Sequence, residues 1–197
     1  MSFSKNKYLL VRKAVSYELA NFIFNYFLMS RDVAKFLLQN KLIEHKHYGL
    51  IGHWLDTQVP NTYCQYANPV METLLVKLLP LVQNKTKLKL IPTYSFARIY
   101  KKGDILHKHT DRDSCQISIT IPVGGNEWDF YLEGTLIKLK VGDMLIYKGC
   151  EVNHWRNAFK GDICGQVFLH YNNINGPFKT KNAYDGRALL GTPQIKL

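Results

Sequence analysis

The residues of this sequence best suited to chemistry are a histidine and an aspartate in the triplet His109-Thr110-Asp111. If the triplet is extended, side chains two apart project to the same face, so the imidazole and the carboxylate converge. A second histidine, His154, follows later in the chain. Two imidazoles and one carboxylate make the facial arrangement that holds non-heme Fe(II) and leaves positions open for a co-substrate and O2. A His-x-Asp triplet also occurs by chance, so the prediction depends on the elements around it.

Strand-like segments surround these three residues. Segment 94–100 alternates before the triplet, and segment 117–121 places three isoleucines on one face with Ser118 and Thr120 on the other. Turn residues separate the segments that follow. The later predicted strands cover residues 128–132, 135–141, 144–147 and 163–171.

Helices are predicted before the strands. Ser16 stands at an N-cap position, and apolar residues recur at helical spacing to about Met29. Segment 30–32 is expected to interrupt this helix before a further turn or two at 33–39. Pro69 is expected to open a second helix, which Pro80 closes near its end.

Seven or eight short strands after two helices predict a mainly β fold with N-terminal helices (α+β). The expected architecture is a double-stranded β-helix, or jelly roll, buttressed by two or three helices. The 197 residues predict a single domain, 1–197. Its helical support spans roughly 16–84, its jelly-roll core roughly 91–171, and an irregular tail 172–197. Segment 40–68 is predicted to be irregular, either as a surface loop or as a substrate lid.

Composition excludes several classes of protein. Hydrophobic residues make up 46% and aromatic residues 13%, which indicates a packed globular interior. No run of 18 or more apolar residues occurs and no signal-like segment opens the chain, which predicts an intracellular, cytoplasmic protein with no membrane span. The four cysteines lack Cys-x2-Cys spacing, so we expect free thiols and no zinc knuckle. The net charge of +11 makes a nucleic-acid partner possible, but no nucleic-acid-binding module supports one.

The spacing around the triplet resembles that of the iron(II)/2-oxoglutarate-dependent oxygenases, in particular the prolyl-4-hydroxylase-like branch. The resemblance covers roughly residues 91–171. It implies that His109, Asp111 and His154 bind Fe(II), and that 2-oxoglutarate is the co-substrate. O2 would oxidise 2-oxoglutarate to succinate and CO2 while a C–H bond is hydroxylated on a peptidyl proline, another side chain or a small molecule. The matching pattern is Arg98-x-Tyr100-x-x-Gly103-x-x-Leu106-x-x-His109-x-Asp111, then Gly142-Asp143 and His154.

The resemblance also implies contacts to 2-oxoglutarate, and one of them departs from the family. Tyr100 aligns with a tyrosine that touches 2-oxoglutarate in this branch. The family usually places Arg or Lys about ten residues past the distal histidine, but segment 162–166 contains no cation. A buried carboxylate needs a basic partner, so we predict that Arg156 binds it, with Arg98 and Lys160 as the next choices.

Three other functions remain open on the sequence alone. The missing cation suggests a cupin-like metal enzyme that does not use 2-oxoglutarate. A non-enzymatic jelly-roll binding module would leave the three metal-ligand residues apart. The positive charge favours a nucleic-acid demethylase of the same broad chemistry. The substrate and the oligomeric state are not determined by the sequence.

Overall fold

The protein is described by a computed structural model that covers residues 3–44, 47–178 and 181–193. Its strands form two antiparallel sheets, a major sheet in the order β1-β8-β5-β10-β3-β2 and a minor sheet in the order β4-β9-β6-β7. The two sheets face each other as in a jelly roll, which confirms the predicted fold class. The strands are β1 (Tyr8–Val11), β2 (Tyr63–Tyr66), β3 (Leu90–Lys101), β4 (Leu106–His109), β5 (Ile117–Gly125), β6 (Phe130–Leu132), β7 (Thr135–Ile137), β8 (Met144–Tyr147), β9 (His154–Arg156) and β10 (Ile163–Asn173).

Helices cover one face of the major sheet and are named α1 (Phe3–Asn6), α2 (Tyr17–Gln39), α3 (Tyr48–Ile51) and α4 (Pro69–Thr86). The alternating pattern of β5 determines which face of the major sheet the helices cover. The isoleucines of β5 are buried in the core beneath the helices, whereas Ser118 and Thr120 face the minor sheet. Because Gly124 and Gly165 carry no side chain, the ring of Phe24 on α2 lies directly against β5 and β10.

The first predicted helix is longer than expected. Ser16 caps it as predicted, accepting a hydrogen bond from the backbone N–H of Leu19. The predicted interruption at 30–32 is wrong, because α2 runs unbroken to Gln39. The Ser30 hydroxyl donates to the carbonyl of Tyr26 one turn earlier, so this residue does not compete with the helical backbone.

Two further sequence predictions need correction. Pro80 lies inside α4, which continues to Thr86. Pro80 is exposed, so water can solvate the carbonyl that it leaves without a helical partner. Segment 40–68 is not wholly irregular, since it contains α3 and β2. Strand β2 pairs with β3 at the edge of the major sheet, and its Tyr-Cys-Gln-Tyr sequence gave no alternation that would have marked it.

The C-terminal segment lies against the domain and contains a 3-10 turn at Ala183–Gly186. The Asp185 carboxylate accepts hydrogen bonds from Arg112 at 2.6 and 2.8 Å and from Tyr66 and Ser114 at 2.7 Å each. Burial alone would raise the pKa of Asp185, but these donors lower it to about 2. Residues 179–180 and 194–197 of the predicted tail lie outside the described residues.

Replacing Asp185 with asparagine is expected to lower the free energy of unfolding by about 1–3 kcal/mol at neutral pH, because the charged hydrogen bonds to the half-exposed Arg112 weaken. The folded-state pKa lies below the usual 3.8, so the stabilisation is present above that value and is lost as the pH falls towards about 2. Urea unfolding at pH 7, 4 and 3 measures both effects. The exposed Asp129→Asn serves as the control. An unchanged stability in Asp185→Asn would contradict the prediction.

Candidate metal and co-substrate site

The structure brings His109, Asp111 and His154 together between the two sheets. His109 ends β4 and His154 begins β9, and the two residues are directly paired across the antiparallel ladder. Asp111 Oδ1 lies 3.6 Å from His109 Nε2 and 3.4 Å from His154 Nε2. The imidazole rings are 4.2 Å apart between centres. The three candidate ligand atoms therefore lie within 4.8 Å of one another on one side of the site.

Backbone carbonyls orient both imidazoles. His109 Nδ1 lies 2.7 Å from the carbonyl oxygen of His107, and His154 Nδ1 lies 3.1 Å from that of Val152. A carbonyl can only accept, so each Nδ1 carries a hydrogen, and Nε2 is the nitrogen of each ring that a metal would bind. Burial and the nearby His154 lower the pKa of His109, which favours the neutral form that a metal requires.

Hydrogen bonds fix the orientation of the Asp111 carboxylate. Ser118 donates its hydroxyl hydrogen to Asp111 Oδ2 at 2.6 Å, which leaves Oδ1 for the imidazoles. Because Ser118 has only one hydrogen, His170 Nδ1 at 3.1 Å must donate to the Ser118 oxygen. Burial tends to raise the pKa of Asp111, but these groups and His154 hold it at about 2, so the carboxylate stays ionised at neutral pH.

A tight backbone turn also supports Asp111. Its N–H donates to the carbonyl of Gly149 at 2.9 Å. A Cβ at position 149 would collide with Asp111 Oδ2 and the Ser118 hydroxyl. Glycine is therefore required here for the close approach of the loop before β9 to the aspartate.

A second grouping of possible ligands, Asp111 with Cys115 and His170, is less suited to a metal. Burial raises the pKa of Cys115 well above its ordinary value, so the thiolate that a metal needs is disfavoured. Tyr94 occupies its sulfur at 3.1 Å, and Ser118 occupies His170 Nδ1. Burial lowers the pKa of His170 to about 4, so it is neutral at pH 7 and acts here as a hydrogen-bond donor.

The three residues open into a cavity of about 310 Å³. Aromatic rings make up much of its wall, and Phe130 and Tyr147 hold His154 from two sides at ring distances of 5.7 and 4.8 Å. Arg98 and Arg112 are its two cations. Such a mainly apolar pocket with a few converging polar groups is typical of a small-molecule site.

Tyr100 lines this cavity, as its position in the pattern predicted, and it is almost completely buried. Burial raises the pKa of its hydroxyl, while the positive charges of Arg98 and Arg156 oppose the rise. Tyr100 is also paired in register with Cys164 on β10. Cys164 lies in the window where the family would supply a cation, and it is a buried neutral thiol.

Arg156 is fully buried behind the same wall. It does not itself line the cavity, but its guanidinium carbon lies 5.0 Å from the ring centre of Phe130, which does, and 5.1 Å from that of Trp128. One nitrogen donates to the carbonyl of Trp128. Its Nε and second terminal nitrogen have no hydrogen-bond partner, and no carboxylate of the described residues forms an ion pair with it. Burial accordingly lowers its pKa. A buried arginine without a carboxylate partner is destabilising, so this position would be stabilised by a bound anion.

The other cations considered from the sequence are placed differently. Arg98 lines the cavity, but its guanidinium already forms an ion pair with Asp56, with 2.7 Å between Nη2 and Oδ1. Lys160 is exposed and lines a separate cleft near Trp128. Arg156 is therefore the one of the three that is buried without a carboxylate partner among the described residues.

Gln58 and Asp56 are site residues that sequence reasoning missed. The Gln58 amide bridges the site, with Nε2 at 3.0 Å from His109 Nε2 and Oε1 at 3.3 Å from Arg98. A metal on His109 would have to take the place of this amide. Both residues come from the irregular loop before β2, where no periodicity indicates which side chains point inward.

Comparison with solved structures agrees with this geometry at the level of the fold. The chain is similar to a Pseudomonas putida prolyl-4-hydroxylase, with a TM-score of 0.63, 12% identity and coverage of 87% of this chain and 95% of the other. It is also similar to a Trichoplax adhaerens prolyl hydroxylase bound to a peptide fragment of the hypoxia inducible factor oxygen degradation domain. The TM-score is 0.61 and the identity 10%, with coverage of 87% of this chain and 86% of the other. For the non-heme alpha-ketoglutarate-dependent epimerase SnoN from nogalamycin biosynthesis, the TM-score is 0.63 and the identity 10%, with coverage of 98% of this chain and 92% of the other.

The chain has the fold of the prolyl-4-hydroxylase-like 2-oxoglutarate–iron(II) oxygenases. No protein-family model and no curated protein matches the sequence. Among the described residues, no helix is long and apolar enough to cross a membrane. The prolyl-4-hydroxylase-like fold confirms the predicted architecture, whereas the role of each site residue rests on the geometry described above.

Proposed function

We propose that this protein is an Fe(II)- and 2-oxoglutarate-dependent dioxygenase that hydroxylates a C–H bond. The observation that carries the proposal is the convergence of His109 Nε2, Asp111 Oδ1 and His154 Nε2 on one face, inside a prolyl-4-hydroxylase-like fold. Two imidazole nitrogens and one ionised carboxylate fit the donor set of a non-heme Fe(II) site. The Nδ1–carbonyl hydrogen bonds leave Nε2 of both histidines for the metal, and the pKa of Asp111, about 2, keeps its carboxylate charged.

Arg156 supports 2-oxoglutarate as the co-substrate. Its buried guanidinium has two nitrogens without partners, and a planar fork of this kind grips a carboxylate in a bidentate manner. It carries its charge on β9, close to the buried Cys164 that stands where the family places a cation on β10. We infer that the cation stands on β9 of the minor sheet instead of on β10 of the major sheet, and that Arg156 binds the far carboxylate with Tyr100 beside it.

In the proposed reaction, three residues would bind the iron and their neighbours orient them. His109, Asp111 and His154 would hold the iron, which when bound supplies the site where 2-oxoglutarate and O2 react to give succinate and CO2. Ser118 and His170 keep Asp111 oriented through a single oxygen, and the carbonyls of residues 107 and 152 orient the imidazoles.

The size of the cavity restricts the substrate. At about 310 Å³ it lies at the lower limit of ligand pockets, which run from about 300 to 1,000 Å³, and it must also hold 2-oxoglutarate. We infer that the reacting part is one side chain of a peptide or protein, or a compact small molecule. The Trichoplax enzyme is bound to a peptide and SnoN acts in nogalamycin biosynthesis, so the fold is compatible with both.

A cupin-like metal enzyme that does not use 2-oxoglutarate is the second candidate. The observation in its favour is the neutral Cys164 in the window expected to hold a cation. The two candidates differ in whether O2 oxidises 2-oxoglutarate to succinate. In the first, 2-oxoglutarate is converted to succinate even without the prime substrate, although slowly.

Turnover of 2-oxoglutarate tests the proposal directly. Purified protein is loaded with Fe(II) without oxygen, then given 2-oxoglutarate and air, and succinate is measured. We expect succinate to form, and to form faster with a library of peptides and metabolites that contains the substrate. Tight iron binding without succinate would favour the cupin-like enzyme. The absence of iron binding would favour a binding module.

A further inference from the structure

Two of the three candidate metal ligands lie in strands, and the third lies in a loop. His109 and His154 belong to β4 and β9 and are paired across the minor sheet, so the hydrogen-bonded ladder fixes their backbones. Asp111 follows the end of β4, in the ligand loop of residues 110–116 that leads to β5. The position of Asp111 therefore depends on the groups that hold this loop.

The C-terminal strap, residues 181–193, holds the ligand loop directly beside Asp111. Asp185 accepts two hydrogen bonds from Arg112, the residue next to Asp111, at 2.6 and 2.8 Å, and a third from Ser114 at 2.7 Å. Arg112 also donates to the Ser114 hydroxyl at 2.8 Å. The Asp185 side chain is only 5% exposed. Because a bidentate pair fixes direction as well as distance, Asp185 holds the loop in one orientation.

The strap has a second anchor of the opposite charge. Arg187 donates to both carboxylate oxygens of Glu72 on α4, at 2.9 and 3.1 Å, and to the carbonyl of Thr93 on β3 at 2.9 Å. Both side chains of this ion pair are buried. Such a pair is costly to break, because one charge would be left without its partner. The strap is therefore fastened to a helix and a strand, and it can serve as a fixed support for the ligand loop.

The backbone of the strap is bent at the residue that meets the loop. Tyr184 and Asp185 have φ of 50° and 56°, in the left-handed region that glycine adopts more readily than a residue as bulky as tyrosine. This conformation costs free energy and persists only where surrounding contacts determine it. Those contacts are the hydrogen bonds of the Asp185 carboxylate to Arg112, Ser114 and Tyr66. The strap is thus shaped to present Asp185 to the ligand loop.

The same contacts extend to the wall of the cavity. Arg112 and Tyr94 both line it, with 4.6 Å between the guanidinium carbon and the ring centre. Tyr94 packs on His170 with 4.5 Å between ring centres, and His170 supports Asp111 through the Ser118 hydroxyl. A displaced Arg112 would therefore disturb Asp111 by two routes, along the backbone of the ligand loop and through the cavity wall.

We propose that Asp185 is a positioning residue for Asp111, and that the metal site reaches its full affinity only when the C-terminal strap holds the ligand loop. Asp185 acts through Arg112 and Ser114 and does not itself bind the metal. The inference rests on the proposed metal site. Groups that orient a metal ligand from behind change metal affinity by about 10- to 100-fold when they are replaced. We expect the lower figure for Asp185, which is one contact further from the metal.

Co(II) titration of the full chain, followed by absorption, tests this role. Asp185→Asn is expected to raise the dissociation constant about tenfold and to change the Co(II) absorption bands, because Asp111 is held less firmly. Tyr171→Phe is the matched control. It removes a buried hydrogen bond of 2.7 Å to the carbonyl of Leu75, so it costs stability without touching the ligand loop. Equal weakening in both variants, or in neither, would overturn the proposal.

A double-mutant cycle with Arg112→Met shows whether Asp185 acts through its partner. If it does, Arg112→Met combined with Asp185→Asn binds Co(II) little more weakly than Arg112→Met alone, since one support is removed in both. Full additivity of the two losses would overturn the proposal. Tyr66→Phe removes a donor to Asp185 from outside the ligand loop and is the milder variant if Asp185→Asn does not fold. It should also weaken Co(II) binding, and an unchanged affinity would again overturn the proposal.

The wild type separates this inference from the proposed function. A wild type that binds no Co(II) would refute the metal site itself and this inference with it. A wild type that binds Co(II) as tightly as Asp185→Asn would leave the metal site intact and refute only the role of the strap.

Discussion

Asp111→Asn is expected to weaken Fe(II) binding by at least about a hundredfold, more than the loss of a residue that only supports a ligand. The change removes the one negative charge of the ligand set but keeps the shape of the side chain and its ability to accept from Ser118. Anaerobic titration with Fe(II), or with Co(II) followed by absorption, measures the affinity. Succinate formation should fall to the background rate.

The control for this experiment is Asp113→Asn, two residues further along the chain. Asp113 is partly exposed and pairs at 3.4 Å with Lys181 on the surface, so it has no access to the imidazoles. Its metal affinity should remain that of the wild type. If Asp111→Asn bound iron as tightly as the wild type, the proposed ligand set would be wrong.

Arg156→Met is expected to weaken 2-oxoglutarate binding strongly while raising the thermal stability of the protein without ligands. A buried guanidinium without a counter-ion costs folding free energy, and methionine fills similar space without that cost. Removing the carboxylate partner should weaken 2-oxoglutarate binding by at least about thirtyfold, which corresponds to the 2 kcal/mol or more of a buried charge pair. Iron binding should be unchanged.

Differential scanning fluorimetry with and without 2-oxoglutarate separates these effects. The wild type should gain stability when 2-oxoglutarate is added in the presence of Mn(II), whereas Arg156→Met should start higher and gain nothing. Lys160→Met, which removes an exposed cation, should behave like the wild type. If Arg156→Met were less stable and still bound 2-oxoglutarate, Arg156 would have a structural role only.

The two experiments fail in different ways. Loss of iron binding alone in Asp111→Asn, with 2-oxoglutarate stabilisation absent from every variant, would support a metal enzyme without this co-substrate. Loss of 2-oxoglutarate binding alone in Arg156→Met would show that the cation on β9 replaces the one expected on β10. Each result therefore bears on a separate part of the proposed site.

The sequence alone determined the parts of this protein that depend on local periodicity. Alternation in β5 predicted that its isoleucines would share one face opposite Ser118 and Thr120, because neighbouring side chains of a strand point to opposite sides. The N-cap at Ser16 and the proline at position 69 located the starts of two helices. The His-x-Asp triplet predicted that His109 and Asp111 would converge, and they do, although β4 ends at His109.

Only the tertiary structure decided the features that depend on contacts between distant residues. Gln58 reaches His109, and the tail residue Asp185 holds Arg112, through pairings over 51 and 73 positions that leave no pattern in the sequence. Arg156 was a plausible choice by residue type, but its burial without a counter-ion arises from the packing of Trp128 and Phe130 around it. The unbroken course of α2 likewise depended on packing against the sheet, which outweighs weak local preferences.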